Sequence, residues 1–169
     1  MWRLIKMYAP NLNPRFCILD FELTAKSAII SAFPHIEFRG CFFHLSQSIR
    51  RKIQDLGLRV TYTDDEDIRL YCRMNASLAL FPPEKITGHF EELQKDMSER
   101  DMDQRLGELY DYFEDNYIGR LRRGSRRGAN PTRAPPRFVL EFWSVYDRTQ
   151  VALRWGEGVQ ILKYPRAPI

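Results

Sequence analysis

The chain has 169 residues, about the size of one domain, with 44% hydrophobic and 28% charged residues. This balance is typical of a globular protein and argues against disorder over the whole chain. No apolar run approaches the roughly 18 residues of a membrane span, so we expect no membrane partner. The first residues do not resemble a secretory signal and three cysteines do not suit a disulfide framework, which together predict a reducing compartment.

Five elements are predicted in the first part of the chain: a helix over 2–8, a buried strand over 15–20, a helix over 24–33, a strand over 36–43 and a helix over 44–56. Pro34 ends the second helix, Gly40 is a candidate bulge, and Gly57 suits the C-cap of the last helix. The order strand–helix–strand–helix implies a parallel strand pair in an α/β layer.

The second part of the chain predicts mainly helices, at residues 63–80, 83–97 and 102–117. The last of these carries an apolar face made of Leu106, Leu109, Tyr110, Phe113 and Tyr117. The chain therefore divides into an α/β unit (1–60), a helical region (61–117), a mobile basic linker (118–137) and an aromatic C-terminal segment (138–169) that docks as a short helix near its start.

Charge is distributed unevenly along the chain. Residues 1–60 hold nine Lys or Arg against four acids, residues 91–115 hold ten acids against three basic residues, and residues 118–137 hold seven Arg and no acid. This segregation fits either a polyanionic partner or pairing of the basic and acidic segments within the protein. The sequence leaves both alternatives open.

Asp20 is the first candidate for a chemical role. It follows a predicted inner strand, and parallel sheets place their functional groups at the carboxyl ends of strands. Its carboxylate suits Mg²⁺ or Mn²⁺, which usually bind two or three converging oxygen ligands. The alternative is that Asp20 starts a turn and caps the helix at Thr24, with Glu22 as a solvated acid of the first turn.

Cys41 and His44 form a CxxH pair, which has the spacing of half a zinc site. The pair lacks a second pair at matching spacing. A buried thiol and a histidine at a helix start are therefore the alternative to a metal role.

The basic linker carries the third candidate site, the arginines Arg120, Arg122, Arg123, Arg126 and Arg127. Arginines on a loop can neutralise DNA phosphates and release counterions. A solvated loop or a nuclear-import patch is an alternative use of the same residues.

Several ordered motifs resemble the MULE domain of Mutator-like element transposases over roughly residues 1–148. They are Ile18-Leu-Asp-Phe-Glu22, Ala-Phe-Pro34, the stretch from Gly40 to Leu58, Leu78-Ala-Leu-Phe-Pro82, Tyr112-Phe-Glu-Asp-Asn-Tyr-Ile-Gly119 and Phe142-Trp-Ser-Val-Tyr-Asp147. The resemblance implies an α/β fold: a partial RNase H-like core of strand–helix–strand–helix, followed by a mostly α-helical insertion.

The resemblance also implies a function. The family cuts and joins DNA with Mg²⁺ or Mn²⁺ held by an Asp-Asp-Glu triad. The implied partner is therefore DNA. The expected location is the nucleus, or otherwise the cytoplasm. Asp20 matches the second aspartate of the triad, and Cys41 and His44 match the family's CxxH pair. We expect DNA transposition to be the ancestral role.

The chain departs from the family pattern at both ends. The family's first catalytic aspartate lies on a strand before the segment matched here, and only Glu157 is available as a counterpart of the final glutamate. Because one carboxylate cannot hold two ions, we expect no cleavage by this chain alone.

The alternative functions to an inactive transposase fragment are a module that binds DNA or a transposase-derived protein, a nuclease completed by a second chain, and a structural metal protein. We also expect the shortened sheet to expose an edge and an apolar face.

Overall fold

The computed structural model describes residues 2–21, 24–122 and 132–154. Within them the elements are α1 (Trp2–Tyr8), β1 (Phe16–Leu19), α2 (Thr24–Ala32), β2 (Glu37–Gly40), α3 (Phe42–Asp55), α4 (Arg59–Asp64), α5 (Glu66–Ser77), α6 (Pro83–Glu99), α7 (Asp103–Phe113), α8 (Leu140–Trp143) and α9 (Tyr146–Arg154). The described chain is mostly helical. None of its helices has both the length and the apolar character needed to cross a membrane.

The two strands pair in parallel, which confirms the predicted strand–helix–strand–helix order and the coarse α/β class. Phe16 lies opposite Glu37, and Leu19 lies opposite Gly40. The predicted second strand over 36–43 is too long, because Gly40 is its last residue. Gly40 is a paired strand residue rather than a bulge.

The end of β2 passes directly into α3. The Cys41 N–H donates to the Leu19 carbonyl at 2.8 Å, and the Cys41 carbonyl accepts from the Leu45 N–H at 3.0 Å. Cys41 is therefore both the last residue tied to the sheet and the N-cap of α3, which begins at Phe42 instead of His44. At the other end, Gly57 has a φ of +71° and its N–H bonds to Gln54, as predicted for a helix-ending glycine.

The sheet has one covered face and one open face. Leu19 and Phe38 pack toward α2, against the small cluster of Ile29, Ala32 and Phe33. The side chains of Phe16 and Ile18 on the other face are 40% and 58% exposed. This matches the expected exposed apolar face, although the guanidinium groups of Arg15 and Arg39 lie over the Phe16 ring, 4.8 and 4.2 Å from its centroid.

A helical core accounts for most of the buried residues. The predicted helix over 63–80 is three elements: α4, which the sequence analysis missed, α5, and a single 3₁₀ turn at Leu78–Leu80. Asp65 separates the first two, because its backbone is extended and its carboxylate accepts from the Ile68 N–H at 3.1 Å. Helices α6 and α7 occur as predicted, and all five apolar residues predicted on the face of α7 are buried.

The aromatic C-terminal segment docks on this core, as predicted. Phe142 and Trp143 are buried, and the Trp143 indole N–H donates to the Tyr117 carbonyl at 3.2 Å. The Val145 N–H donates to the Ala79 carbonyl at 2.7 Å. The chain then continues into α9, a helix that the sequence analysis missed.

Gly119 ends a π-helical turn at Glu114–Ile118 and directs the chain toward the basic segment. Its φ is +91°, and a Cβ atom there would overlap the Ala134 carbonyl oxygen. Only glycine fits this backbone conformation and this close approach.

We predict that Gly119→Ala lowers the free energy of unfolding by about 2–4 kcal/mol, since it adds backbone strain and a backbone clash. Gly88→Ala is the matched control, because Gly88 lies within α6 and a Cβ there meets nothing within 4 Å. In a helix that change should stabilise by up to about 1 kcal/mol. Urea unfolding followed by circular dichroism measures the free energy of unfolding of both variants. Equal changes in the two variants would contradict the requirement for glycine at position 119.

Candidate functional site

The carboxyl edge of the strand pair holds the first two predicted site residues. Asp20 follows Leu19 and Cys41 follows Gly40, and those two strand residues are partners in the register. The main chains of Asp20 and Cys41 therefore lie side by side. The predicted strand over 36–43 places Cys41 inside the strand, so this adjacency was not predicted. The Asp20 side chain is exposed, and Glu22 lies outside the described residues.

His44 lies in the first turn of α3, one turn after Cys41. Its ring contacts the Phe43 ring with centroids 5.4 Å apart. The side chain is half-buried, and its Nδ1 atom is buried without a hydrogen-bond partner among the described residues. The CxxH pair thus brackets the start of a helix, with the thiol half-buried at the N-cap.

The donor atoms of this edge do not suit the divalent ions that the resemblance implies. Among the residues that the structure describes, no three His, Cys, Asp or Glu side chains form a group able to hold a metal ion. Asp20 supplies a hard oxygen, whereas Cys41 and His44 supply a soft sulfur and an imidazole nitrogen. This donor set does not fit a pair of Mg²⁺ or Mn²⁺ ions, and a zinc site would need further ligands.

Arg148 is a residue of this edge that the sequence analysis missed. It lies on α9, and its Nη2 donates to the Gly40 carbonyl at 2.9 Å, across 108 residues of sequence. Its Nε is buried with no hydrogen-bond partner in the described part of the chain. Burial and the nearby Arg39 guanidinium lower the pKa of Arg148 from its ordinary value, while Cys41 opposes the shift. The only sequence signal is its position directly after the Phe142–Asp147 motif.

Phe21 joins this edge to the helical core. Its ring makes edge contacts with the rings of Phe138, Phe142 and Tyr117, with centroids 4.8, 5.5 and 5.7 Å away. Gly40 completes the contact, since a Cβ there would lie 3.1 Å from both the Phe142 ring and the Phe142 carbonyl. The residue after Asp20 is thus fixed by aromatic packing, which positions the edge.

The predicted DNA-binding arginines lie in several environments. Arg120 pairs with Asp115, with Nη2 to Oδ2 at 2.9 Å, and the side chain of Arg122 is exposed. Arg123, Arg126 and Arg127 lie outside the described residues.

The described ends of the basic linker are ordered rather than mobile. Leu121 and Arg133 form an antiparallel bridge. The Arg133 guanidinium donates to Glu91 at 2.8 Å, to Glu114 at 2.5 Å and to the Gly119 carbonyl at 2.6 Å. Burial lowers the pKa of Arg133, but the hydrogen bonds to the two carboxylates outweigh it and hold the pKa above its ordinary value. Internal acid–base pairing therefore accounts for Arg133.

Comparison with known proteins adds no identification: no family model, curated protein or solved structure matches the chain.

We predict that Arg148→Met lowers the free energy of unfolding by about 1–3 kcal/mol, because the buried Gly40 carbonyl is left without its charged donor. Arg148→Lys, which keeps a charged donor, should retain most of the stability. Urea unfolding of the three proteins checks this. Equal stability of the Met and Lys variants would mean that this hydrogen bond does not hold α9 to the sheet.

Proposed function

We propose that the chain derives from the RNase H-like domain of a Mutator-like element transposase and acts as a DNA-binding module in the nucleus. The observation that carries the proposal is the meeting of four resemblance motifs around Phe21. The Asp20 motif supplies Phe21, the motif over 112–119 supplies Tyr117, and the C-terminal motif supplies Phe142. The motif beginning at Gly40 contacts the same Phe142.

This packing supports the proposal because it makes the four motifs parts of one core, as a resemblance to a single domain requires. The four motifs lie up to about 120 residues apart in the sequence, yet their rings and backbone meet within a few ångströms. Such a convergence is expected where the motifs are parts of one core. Residues 61–117 take the place of the helical insertion in this assignment.

The proposed module binds DNA without cutting it by itself. Asp20 corresponds to a triad aspartate, but the described donor set does not fit two divalent ions. What remains for DNA is positive charge: Arg122 is exposed, and Arg123, Arg126 and Arg127 continue the same basic run. Arginines of this kind contact phosphates without reading sequence.

We predict salt-dependent binding of duplex DNA, measured by fluorescence anisotropy. Replacing Arg122, Arg123, Arg126 and Arg127 by Gln should weaken binding and lower the slope of log K against log salt by about 0.9 for each phosphate that is no longer neutralised. The control replaces Arg51 and Lys85, two exposed positive charges that make no ion pair with a described residue, and the losses of affinity are compared per charge removed. Equal losses of affinity in the two variants would contradict a specific role for the basic run.

We also predict no nicking of supercoiled DNA with Mg²⁺ or Mn²⁺, and no change in DNA affinity for Asp20→Ala. Nicking by the parent chain that Asp20→Ala abolishes would show a working metal site and overturn this part of the proposal. Gel electrophoresis of plasmid DNA reports on the nicking, and anisotropy reports on the affinity.

A second candidate function is a nuclease completed by another chain. The open face of the sheet favours it, because Phe16 and Ile18 are 40% and 58% exposed there. A partner that covered this face and paired a strand with the outer edge of β1 or β2 would extend the sheet and bring further carboxylates to the carboxyl edge. Metal-dependent nicking only after mixing with a transposase-derived chain would support this function over the first.

A further inference from the structure

A groove of about 680 Å³ lies between α3, α4 and α5; its lining includes Phe42, which directly follows Cys41 of the carboxyl edge, and none of the described linker arginines. Arg50 of α3, Arg59 of α4 and Arg73 of α5 line it, so each of the three helices contributes one arginine. Among the described residues that line the groove, none is acidic.

The positive charge of this groove is not neutralised by ion pairs. Arg50 and Arg59 are exposed and make no ion pair or hydrogen bond through their side chains with any described residue. The Arg73 Nε donates to the Tyr62 hydroxyl at 3.2 Å, which is a neutral partner. The acidic residues at positions 65–67 line a neighbouring recess that shares Arg73 with the groove.

The rest of the lining is amphipathic. Ser46 and Thr63 supply hydroxyl groups, while Ile49 and Ile53 form an apolar floor. Phe42 is 38% exposed, and Tyr62 lies across the groove on α4. Guanidinium groups bind phosphates and aromatic rings stack on bases, so this combination is typical of surfaces that hold a nucleic acid strand.

We infer that the groove between α3, α4 and α5 binds single-stranded DNA, with Arg50, Arg59 and Arg73 on the phosphates and Phe42 against a base. The volume lies in the range of ligand sites, about 300–1,000 Å³, and holds one or two nucleotides of a strand. An acidic peptide also carries negative charge, but it gives the aromatic ring nothing to stack on. The inference rests on the proposed DNA binding. It deepens that proposal because it specifies single-stranded DNA as the ligand and a binding site distinct from the linker arginines.

The test measures binding of a fluorescent oligothymidylate by anisotropy at several salt concentrations. The groove variant combines Arg50→Gln with Arg59→Gln. The matched control combines Arg51→Gln with Lys85→Gln, two exposed positions outside the groove on α3 and α6. Circular dichroism and thermal unfolding verify that both variants keep the parent fold.

We expect the groove variant to lower the salt slope for oligothymidylate by about 1.4, since each neutralised phosphate of a single strand contributes about 0.7. The control should keep the parent slope. Phe42→Leu should weaken oligothymidylate binding by roughly fivefold or more while leaving the salt slope unchanged, because stacking carries no counterion release.

Three results would overturn the inference: equal losses of affinity in the groove and control variants, an unchanged affinity of Phe42→Leu, or displacement of oligothymidylate by oligoglutamate as readily as by unlabelled DNA.

The duplex experiment separates this inference from the proposed function. If duplex DNA binds through the linker arginines and oligothymidylate does not bind, the groove inference fails and the proposed function stands. If oligothymidylate binds through Arg50 and Arg59 while duplex DNA does not bind, the groove inference stands and the proposed binding of duplex DNA through the linker arginines fails.

Discussion

The position of the small sheet depends on one aromatic contact, the packing of Phe21 against Tyr117, Phe138 and Phe142. Two strands of four residues each do not form a stable sheet by themselves. Among the described side chains of α2, only Ile29 and Ala32 are buried against one face, joined by Phe33 just after the helix, so the remaining stabilisation has to come from the helical core. Each aromatic pair adds about 0.5–1.5 kcal/mol beyond the area it buries, and Phe21 makes three such pairs directly beside Asp20.

The features of the fold that local patterns control could be predicted from the sequence. The apolar spacing of α3, α6 and α7 identifies helices, and the alternation of strand and helix implies a parallel pair. The boundaries at Cys41 and Asp65 could not be predicted in this way. Cys41 ends β2 because its carbonyl accepts from the Leu45 N–H and so begins α3, while its N–H is still bonded to Leu19 of the other strand. Asp65 interrupts a helical stretch because its extended backbone allows it to cap α5.

The candidate site shows the same division. The parallel pairing follows from the order of strands and helices, but the adjacency of Asp20 and Cys41 depends on the end of β2 at Gly40 and on the register that pairs Gly40 with Leu19. The Arg148 contact depends on how α9 docks, since its partner, Gly40, is 108 residues away. Similarly, the charge pattern left internal pairing and a polyanionic partner equally open, and only the folded chain pairs Arg133 with Glu91 and Glu114.

The distribution of free positive charge therefore differs from the distribution of arginine along the chain. The acidic stretch over 91–115 neutralises Arg120 and Arg133, so the densest basic run in the sequence loses part of its charge on folding. Arg50 and Arg59 lie outside that run, and they face a groove with no acid among its described lining residues. Because a pair of opposite charges in contact contributes little field at a distance, a polyanion should be attracted to the unpaired arginines, such as Arg50, Arg59 and Arg122, rather than to Arg120 and Arg133.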